Sequence, residues 1–536
     1  MRNFNIVRAF IIPFVIVFAT ITFAQQSNNN AFLFDGETSQ LFVKDNDPGD
    51  ETGFDFFNSS NSYNQITVQA WIYLFGDTPS DVKVPIVYRK VMGGTTFSLY
   101  VKNNKGYFTV GNSAPVITTE FPAFRWTALT GTYDGSDLKI YLDGDLIITE
   151  TIGQIMSGYD LDDGSGLFVG NSSDGAFRGL IDEIRIFDIA LGDNNINGSG
   201  GNGNPAEPFP SSLDEYLRGQ WSFKEIDPVD GLLHDLSNYQ NHLTIVPTIQ
   251  VFPSKHLPFF IVTSILDDGD ELPGDGNATS FNGEVTLRSA IEEANDLEGQ
   301  QIIYFYIQGT DPIIQPLSDF LPTITQPVIL DGTVQSGYSG SPLVEIIGTY
   351  GGLTVTAGSS TVNGLVINNS SGYSLTLSVV GGNTIEANQI SGILISSSGN
   401  NINGNDITNS TGEGISITVG AENNQIGVLS SNDIFGNNGY GISIVNTNSN
   451  QISNNTVGTN TLGGIYLTTS TATITGNTIT GNLGFGISLN TSSRNTISGN
   501  DISGNSSDGL VINGNDNVVD SNSVTGNSGL GLSVDA

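Results

Sequence analysis

One short phrase is repeated through the last third of this 536-residue chain, and it restricts the fold more than any other feature. It reads Asn-x-Ile-x-x-Asn-x-Ile, then a Gly-Asn turn, then Gly-Ile-x-Ile; the clearest copy runs from Asn495 through Ile497, Asn500, Ile502 and Asn505 to Gly509 and Ile512. The glycines that open the last segment are Gly364, Gly392, Gly414, Gly441, Gly464, Gly486, Gly509 and Gly531, spaced by 28, 22, 27, 23, 22, 23 and 22 residues. A period of this size marks a solenoid. Apolar residues alternate within each copy, so the units are strands. Three strands separated by Gly, Asn and Ser turns make one rung of a parallel β-helix. A lone rung cannot bury its isoleucines. Rungs stacked about 4.8 Å apart pair their backbones and bury one apolar column. The glycines are expected to supply turn conformations that a Cβ resists. Asn388, Asn405, Asn432, Asn455, Asn477, Asn500 and Asn522 recur at one place in the rung. They are expected to form an internal ladder, each amide donating to one neighbouring rung and accepting from the other.

The N-terminus carries Arg2 and Arg8, an apolar run from Ala9 to Ala19, and Thr22-Phe23-Ala24. This pattern predicts a secretory signal peptide over 1–24, and hence a secreted or cell-surface protein. No later stretch is long enough to span a membrane, so no span is expected after cleavage. The chain has no cysteine, which excludes disulfides, thiolate metal sites and a cysteine nucleophile. With 17 basic against 54 acidic residues the net charge is −37. Nucleic acids and anionic polysaccharides are therefore poor partners, whereas calcium or a neutral glycan is compatible.

Between residues 31 and 190 the strands alternate with period 2 and turn residues recur at short intervals, which predicts an all-β sandwich. Its motifs run in order: Phe34-Asp-Gly36, Ala70-Trp71-Ile72, Trp126, Gly131-Thr-Tyr133-Asp-Gly135, Tyr141-Leu-Asp-Gly144 and Gly179-Leu-Ile-Asp-Glu-Ile-Arg-Ile186. This series resembles the laminin-G-like, concanavalin A-like jellyroll family of bacterial surface proteins. The resemblance implies a binding or adhesive module of lectin type, often with calcium. Trp126-Thr-Ala-Leu stands where that family usually has Trp-His-His-Val, so no role of those histidines carries over. Residues 192–212, rich in Gly, Asn and Pro, read as a flexible insertion. Leu217-Arg-Gly-Gln-Trp221 restarts a strand, and the jellyroll domain is set at 31–246 with a proline-bearing linker at 247–260.

Residues 261–536 form the second domain. Leu287, Ala290, Ile291 and Ala294 share one helical face, Thr286 is an N-cap and Asn295 a stop, so a capping helix is expected over 286–295. Such a helix would plug the open end of the solenoid core. With the Asp331-Gly332…Gly337-Tyr-Ser-Gly-Ser-Pro-Leu343 block, this half is similar to the bacterial right-handed parallel β-helix repeat family, whose fold is that of pectate lyases. The handedness comes from that resemblance. The chain stops at Gly531–Ala536 within a rung, so a C-terminally incomplete protein is expected.

The inventory of chemical groups restricts activity. From Ile261 onward the only basic residues are Arg288 and Arg494, and there is no Lys or His. A uronate lyase needs a base and a charge clamp, so a lyase is disfavoured and no catalytic residue is assigned. Asp406 and Asp433 fall on neighbouring rungs and could form the carboxylate pair of a hydrolase. Tyr440, Tyr466 and Phe485 could form a strip for stacking sugars, against the plainer reading of scattered surface aromatics. In the jellyroll, Asp235, Asn238 and Asn241 place hard oxygen ligands in one turn, suited to calcium; Asp162 and Asp163 are a second candidate pair. The resulting expectation is a secreted binding or adhesion protein for an extracellular glycan or surface protein, with the β-helix as scaffold or second binding face. The alternatives are a carbohydrate-active enzyme and a purely structural surface component.

Overall fold

The computed structural model describes residues 30–35, 39–44, 65–91, 94–154, 166–197, 211–222, 232–237, 241–245, 250–253, 259–309, 312–316, 319–348, 351–369 and 372–535. The expected signal peptide, Asp162, Asp163 and Asn238 lie outside these residues. The described part is all-β, a sandwich followed by a solenoid.

Two antiparallel sheets make the sandwich. The first runs Asp145–Thr151, Asp137–Leu142, Trp126–Tyr133, Ile66–Leu74, Arg178–Phe187, Asn30–Asp35 and Gln250–Pro253, with Leu217–Trp221 also paired to Arg178–Phe187. The second runs Leu232–Leu233, Leu243–Ile245, Leu41–Lys44, Gly166–Val169, Val84–Val91, Gly94–Lys102, Lys105–Val110 and Val116–Glu120. Alternation sets which side chains meet between the sheets: in Lys105–Val110, Gly106, Phe108 and Val110 are buried and the residues between them are half-exposed. Phe32, Phe34, Ile72, Phe97, Leu99 and Phe108 fill the core. The Ile-Asp-Glu-Ile-Arg-Ile motif is structural. Glu183 takes a left-handed φ of 47° at a bulge, and Arg185 Nη2 donates to its carboxylate at 3.0 Å with both side chains at most 5% exposed.

Two boundaries differ from the sequence reading. The segment 192–212 is helical at both described ends, Asp193–Asn197 and Ser211–Tyr216. Ile196, Leu191, Leu213 and Leu217 pack there on Tyr141 and Phe187, so apolar residues scattered among Asn and Gly anchor what composition alone reads as flexible. The segment 247–260 contains the strand Gln250–Pro253, which pairs with Asn30–Asp35 and extends the sandwich, and its end begins the solenoid at Phe259–Val262. Phe259 stacks on Tyr73 of the sandwich with ring centroids 5.1 Å apart and meets Trp126 edge-on at 6.3 Å. Phe75 meets Tyr306 at 5.3 Å. One continuous apolar core therefore spans both modules.

Among the described residues the solenoid has three parallel faces of 11, 10 and 9 strands. On the first, Ile385, Ile402, Ile426, Ile452, Ile474 and Ile497 stack in register; on the second, Ile390, Ile407, Ile434, Val457, Ile479 and Ile502 do the same. The Asn388-to-Asn522 ladder forms as expected, each Nδ2 donating to the next Oδ1 at 2.8–3.0 Å. Two more ladders accompany it: Asn383, Asn400, Asn424 and Asn450, and Asn437, Asn460, Asn482, Asn505 and Asn527. The role expected of the repeat glycines holds at Gly364 and Gly392, with φ of 69° and 101°, and needs correction in the later copies. At Gly464 the φ is not left-handed; a Cβ there would lie 2.4 Å from the Gly486 carbonyl oxygen and 2.5 Å from Ile479 Cγ2. Glycine is required because successive rungs approach closely at this corner.

The cap helix runs Leu287–Asp296, with Leu287, Ala290, Ile291 and Ala294 buried. Thr286 caps it, accepting from the Ser289 N–H at 3.0 Å while Ser289 Oγ accepts from the Thr286 N–H at 3.0 Å. Serine therefore stands where the reciprocal cap usually has Glu or Gln.

Candidate functional site

The two outer faces of the sandwich are not equivalent. On the first sheet, the helical segments Asp193–Asn197 and Ser211–Tyr216 pack on Tyr141 and Phe187, and the first solenoid rungs cover Tyr73 and Phe75. On the second sheet, register lines up Phe42, Phe168, Tyr88, Ser98 and Thr109 across five strands, all half-exposed. Tyr88 stacks on Phe168 with centroids 5.3 Å apart, and Tyr100 on Tyr107 at 4.9 Å. Lys83 Nζ lies 5.4 Å from the Tyr100 ring centroid, a cation–π contact. Lys83, Tyr88, Ser98, Tyr100 and Thr109 border a cleft of about 570 Å³, which Lys90, Asn112, Ser113, Ser173 and Asp174 also line.

The chemistry of the cleft is that of hydrogen-bond donors beside ring faces. Burial, with Asp174 adding to it, pushes the Tyr88 phenol up to about 12, and burial with Tyr107 does the same for Tyr100. Both phenols stay protonated; Tyr88 Oη donates to the Asn171 carbonyl at 2.9 Å. Exposed Lys83 and Lys90 add cationic donors to a strongly acidic chain. The sequence reading missed this site. The available signal was the polar or aromatic residue at every second position of Phe97-Ser98-Leu99-Tyr100-Val101, but only strand pairing shows which of these share a row.

At the turn expected to hold calcium, Asp235 is 6% exposed and its carboxylate accepts four bonds. They come from the Gln220 and Ser237 N–H groups, Ser237 Oγ and the Asn241 N–H, at 2.6–3.0 Å. Four donors match the acceptor capacity of one carboxylate. Asn241 Nδ2 donates to the Arg218 carbonyl at 3.0 Å, and its own carbonyl accepts from Trp221 Nε1 at 2.9 Å. Asp235 thus braces the turn through protein donors. Among the described residues no three His, Cys, Asp or Glu side chains converge to hold a metal.

On the solenoid, Asp406 and Asp433 are direct partners on adjacent strands and both are exposed. Partial burial, then the Asp433 charge, pushes the Asp406 carboxyl above the ordinary range. Asp501 pairs with Thr478 and Ser523, away from that couple. Tyr440, Tyr466 and Phe485 do come together, with centroids 4.6 Å apart for Tyr440–Tyr466 and 5.6 Å for Tyr440–Phe485. The three rings are half-exposed and stack on one another, as Tyr88 and Phe168 do on the sandwich. Arg494 is exposed in a turn with φ 61°. Arg288 is bound: its guanidinium donates to Asp267 at 2.9 Å and to the carbonyls of Phe320 and Asp319, and its side chain is 11% exposed.

The fold defines the class: the chain is a concanavalin A-like sandwich continued by a right-handed parallel β-helix. Residues 21–197 match the family described as the concanavalin A-like lectin/glucanases superfamily, and residues 392–536 the family described as right handed beta helix region. Among solved structures, similarity extends to a Bacteroides ovatus protein described as carbohydrate-binding, at 17% identity and a TM-score of 0.32, covering 42% of this chain. The chain spans 61% of that protein's length. It is also similar to the SAP-like pentraxin of Limulus polyphemus, at 14% identity and a TM-score of 0.29 over 43% of this chain and 98% of that one. A third is domain 4 of an extracellular arabinanase from Geobacillus stearothermophilus in complex with arabinotriose, at 22% identity and a TM-score of 0.20 over 24% of this chain and 64% of that one. No curated protein matches the chain.

Proposed function

We propose that this is a secreted or cell-surface adhesion protein that binds an extracellular glycan on the outer face of its second sheet, with the solenoid as a stiff support. The observation that carries the reading is the aromatic row beside the cleft of Lys83, Tyr88, Lys90 and Tyr100. Rings offer faces to sugar C–H groups, and the surrounding hydroxyls, amides and ammonium groups pair with sugar hydroxyls. The resemblance of the front module to lectin-type jellyrolls supports the same reading. Secretion rests on the 1–24 pattern and is tested by N-terminal sequencing of the exported protein, expected to begin at Gln25.

The purified chain should bind members of a glycan array, with and without calcium. Tyr88→Ala and the pair Lys83→Ala/Lys90→Ala should each weaken binding by about tenfold, equal to 1.4 kcal/mol. Thr478→Ala, exposed on the solenoid, should leave it unchanged. An array without a ligand, or binding indifferent to the cleft substitutions, would sink the proposal.

The Asp406–Asp433 couple favours one second reading, a hydrolase that acts on a polymer laid along the second solenoid face. New reducing ends from a polysaccharide panel, lost in Asp406→Asn, are its signature. A panel left intact removes it without touching the glycan-binding proposal.

A further inference from the structure

The cap helix carries a fully buried acid, Glu293, among the apolar residues that plug the solenoid. The preceding loop folds back over it, and the backbone N–H groups of Gly274 and Gly276 donate to its two carboxylate oxygens. Such bonds favour the charged form. Asp270 stands beside it, 6% exposed, and neither of its carboxyl oxygens finds a hydrogen bond of ordinary geometry. The groups acting on it are the Glu293 carboxyl, the Leu272 backbone and the Asp275 charge. The Asp270 N–H donates to Glu292 Oε2 at 2.7 Å, which fixes the loop on the helix. Glu292 and Asp275 add negative charge beside the pair, while Arg288, the single basic residue between 261 and 309, is engaged by Asp267 and two carbonyls.

Two carboxyl groups buried together are neutralised either by a shared proton or by a compensating positive charge. We propose that Asp270 and Glu293 are the carboxylate ligands of a calcium site that locks the acidic loop onto the cap helix. Two side chains supply only part of a shell. Calcium completes six to eight oxygens with backbone carbonyls and water in flexible geometry, whereas magnesium demands a near-ideal octahedron. The site is separate from the Asp235 turn and from the glycan cleft, and stands whether or not either is functional.

The competing occupant is a proton. A proton shared between the two carboxyls would neutralise the pair in the cation's place, so calcium and protons compete for it. The test is calorimetric titration of the full chain with calcium at pH 7.5, together with thermal unfolding at pH 5.5 and 7.5 with calcium and with chelator. Calcium should bind and raise Tm at pH 7.5, with a smaller rise at pH 5.5. Asp270→Asn, nearly the same shape, should lose about tenfold or more in affinity together with the Tm rise, since ligand charge sets calcium affinity. A Tm indifferent to calcium at pH 7.5, with Asp270→Asn more stable than the parent there, would assign the position to a shared proton and overturn the proposal. Calcium binding and a Tm rise that both survive in Asp270→Asn would overturn it as well. Should the variant not fold, the parent alone decides: neither calcium binding nor a Tm rise with calcium at pH 7.5 overturns the assignment.

Discussion

Asn455→Ala is expected to destabilise the solenoid by about 3–5 kcal/mol, although it removes only a small polar side chain. Asn455 is fully buried. Its Nδ2 donates to Asn477 Oδ1 at 3.0 Å and to the Ile426 carbonyl at 2.9 Å. Its Oδ1 accepts from the Asn432 N–H at 3.3 Å and from Asn432 Nδ2 at 2.9 Å. Truncation leaves the two Asn432 donors and the Ile426 carbonyl without these partners. Each orphaned buried group costs about 1–3 kcal/mol. Asn455→Asp should be worse at neutral pH. It keeps the acceptor but sets a buried charge against Asn477 Oδ1 and the Ile426 carbonyl, so part of the loss should return on acidification, when the new carboxyl is protonated and can donate. In a solenoid each rung contacts its neighbours, so the damage should be local. Hydrogen exchange should quicken around Ile426, Ile452 and Ile474 and stay slow at Phe32 and Phe97 in the sandwich core. Exposed Thr478→Ala is the control, with an expected change within about 0.5 kcal/mol. An Asn455→Ala loss of similar size to the control would mean that water satisfies the ladder as well as the next rung does.

The ladder also shows what the sequence could and could not reveal. The Asn388-to-Asn522 series was legible because in every copy it keeps its place before a polar residue and then Ile or Val. Of the two missed, one is interrupted. Ala472 stands in the place of an asparagine, its backbone N–H donating to Asn495 Oδ1 at 2.7 Å, and Thr447, Ser470 and Ser492 bridge rungs nearby. Small residues that substitute for one another physically do not align as letters. The cap helix was legible because its apolar face and its N-cap lie within ten residues. The Asp270–Glu293 pair was not, because 23 positions separate its members and only the folded-back loop brings them together. The cleft on the second sheet was hidden for the same reason. Phe42, Tyr88 and Phe168 join one row through pairings between strands far apart in the chain.

Phe259→Ala is expected to divide one cooperative unfolding transition into two. The sequence around it reads as a linker, yet Phe259 is 5% exposed and packed by three aromatic rings: Tyr73 at 5.1 Å, Trp126 at 6.3 Å and Tyr304 at 6.0 Å. Tyr73 and Trp126 belong to the sandwich, whereas Phe259 and Tyr304 belong to the first two solenoid strands. Removing a buried phenylalanine costs about 3–5 kcal/mol, and here much of that stabilises the junction rather than either module. Each module keeps its own core, Phe97 and Phe108 in one and the isoleucine columns in the other, so both should survive the loss of contact. Calorimetry should resolve separate sandwich and solenoid transitions, and proteolysis between residues 253 and 259 should accelerate. Phe259→Leu, which refills most of the volume, should keep a single transition at a lower Tm. A single transition in Phe259→Ala, shifted but undivided, would show that Phe75–Tyr306 and the rest of the junction suffice to couple the modules. The coupling bears on the proposed function because a sandwich fixed to the end of a stiff solenoid presents its cleft in one orientation, whereas a tethered one would sample many. If the cleft binds and the junction is rigid, Phe259→Ala should leave affinity for a free oligosaccharide unchanged while weakening attachment to a surface-displayed glycan under flow.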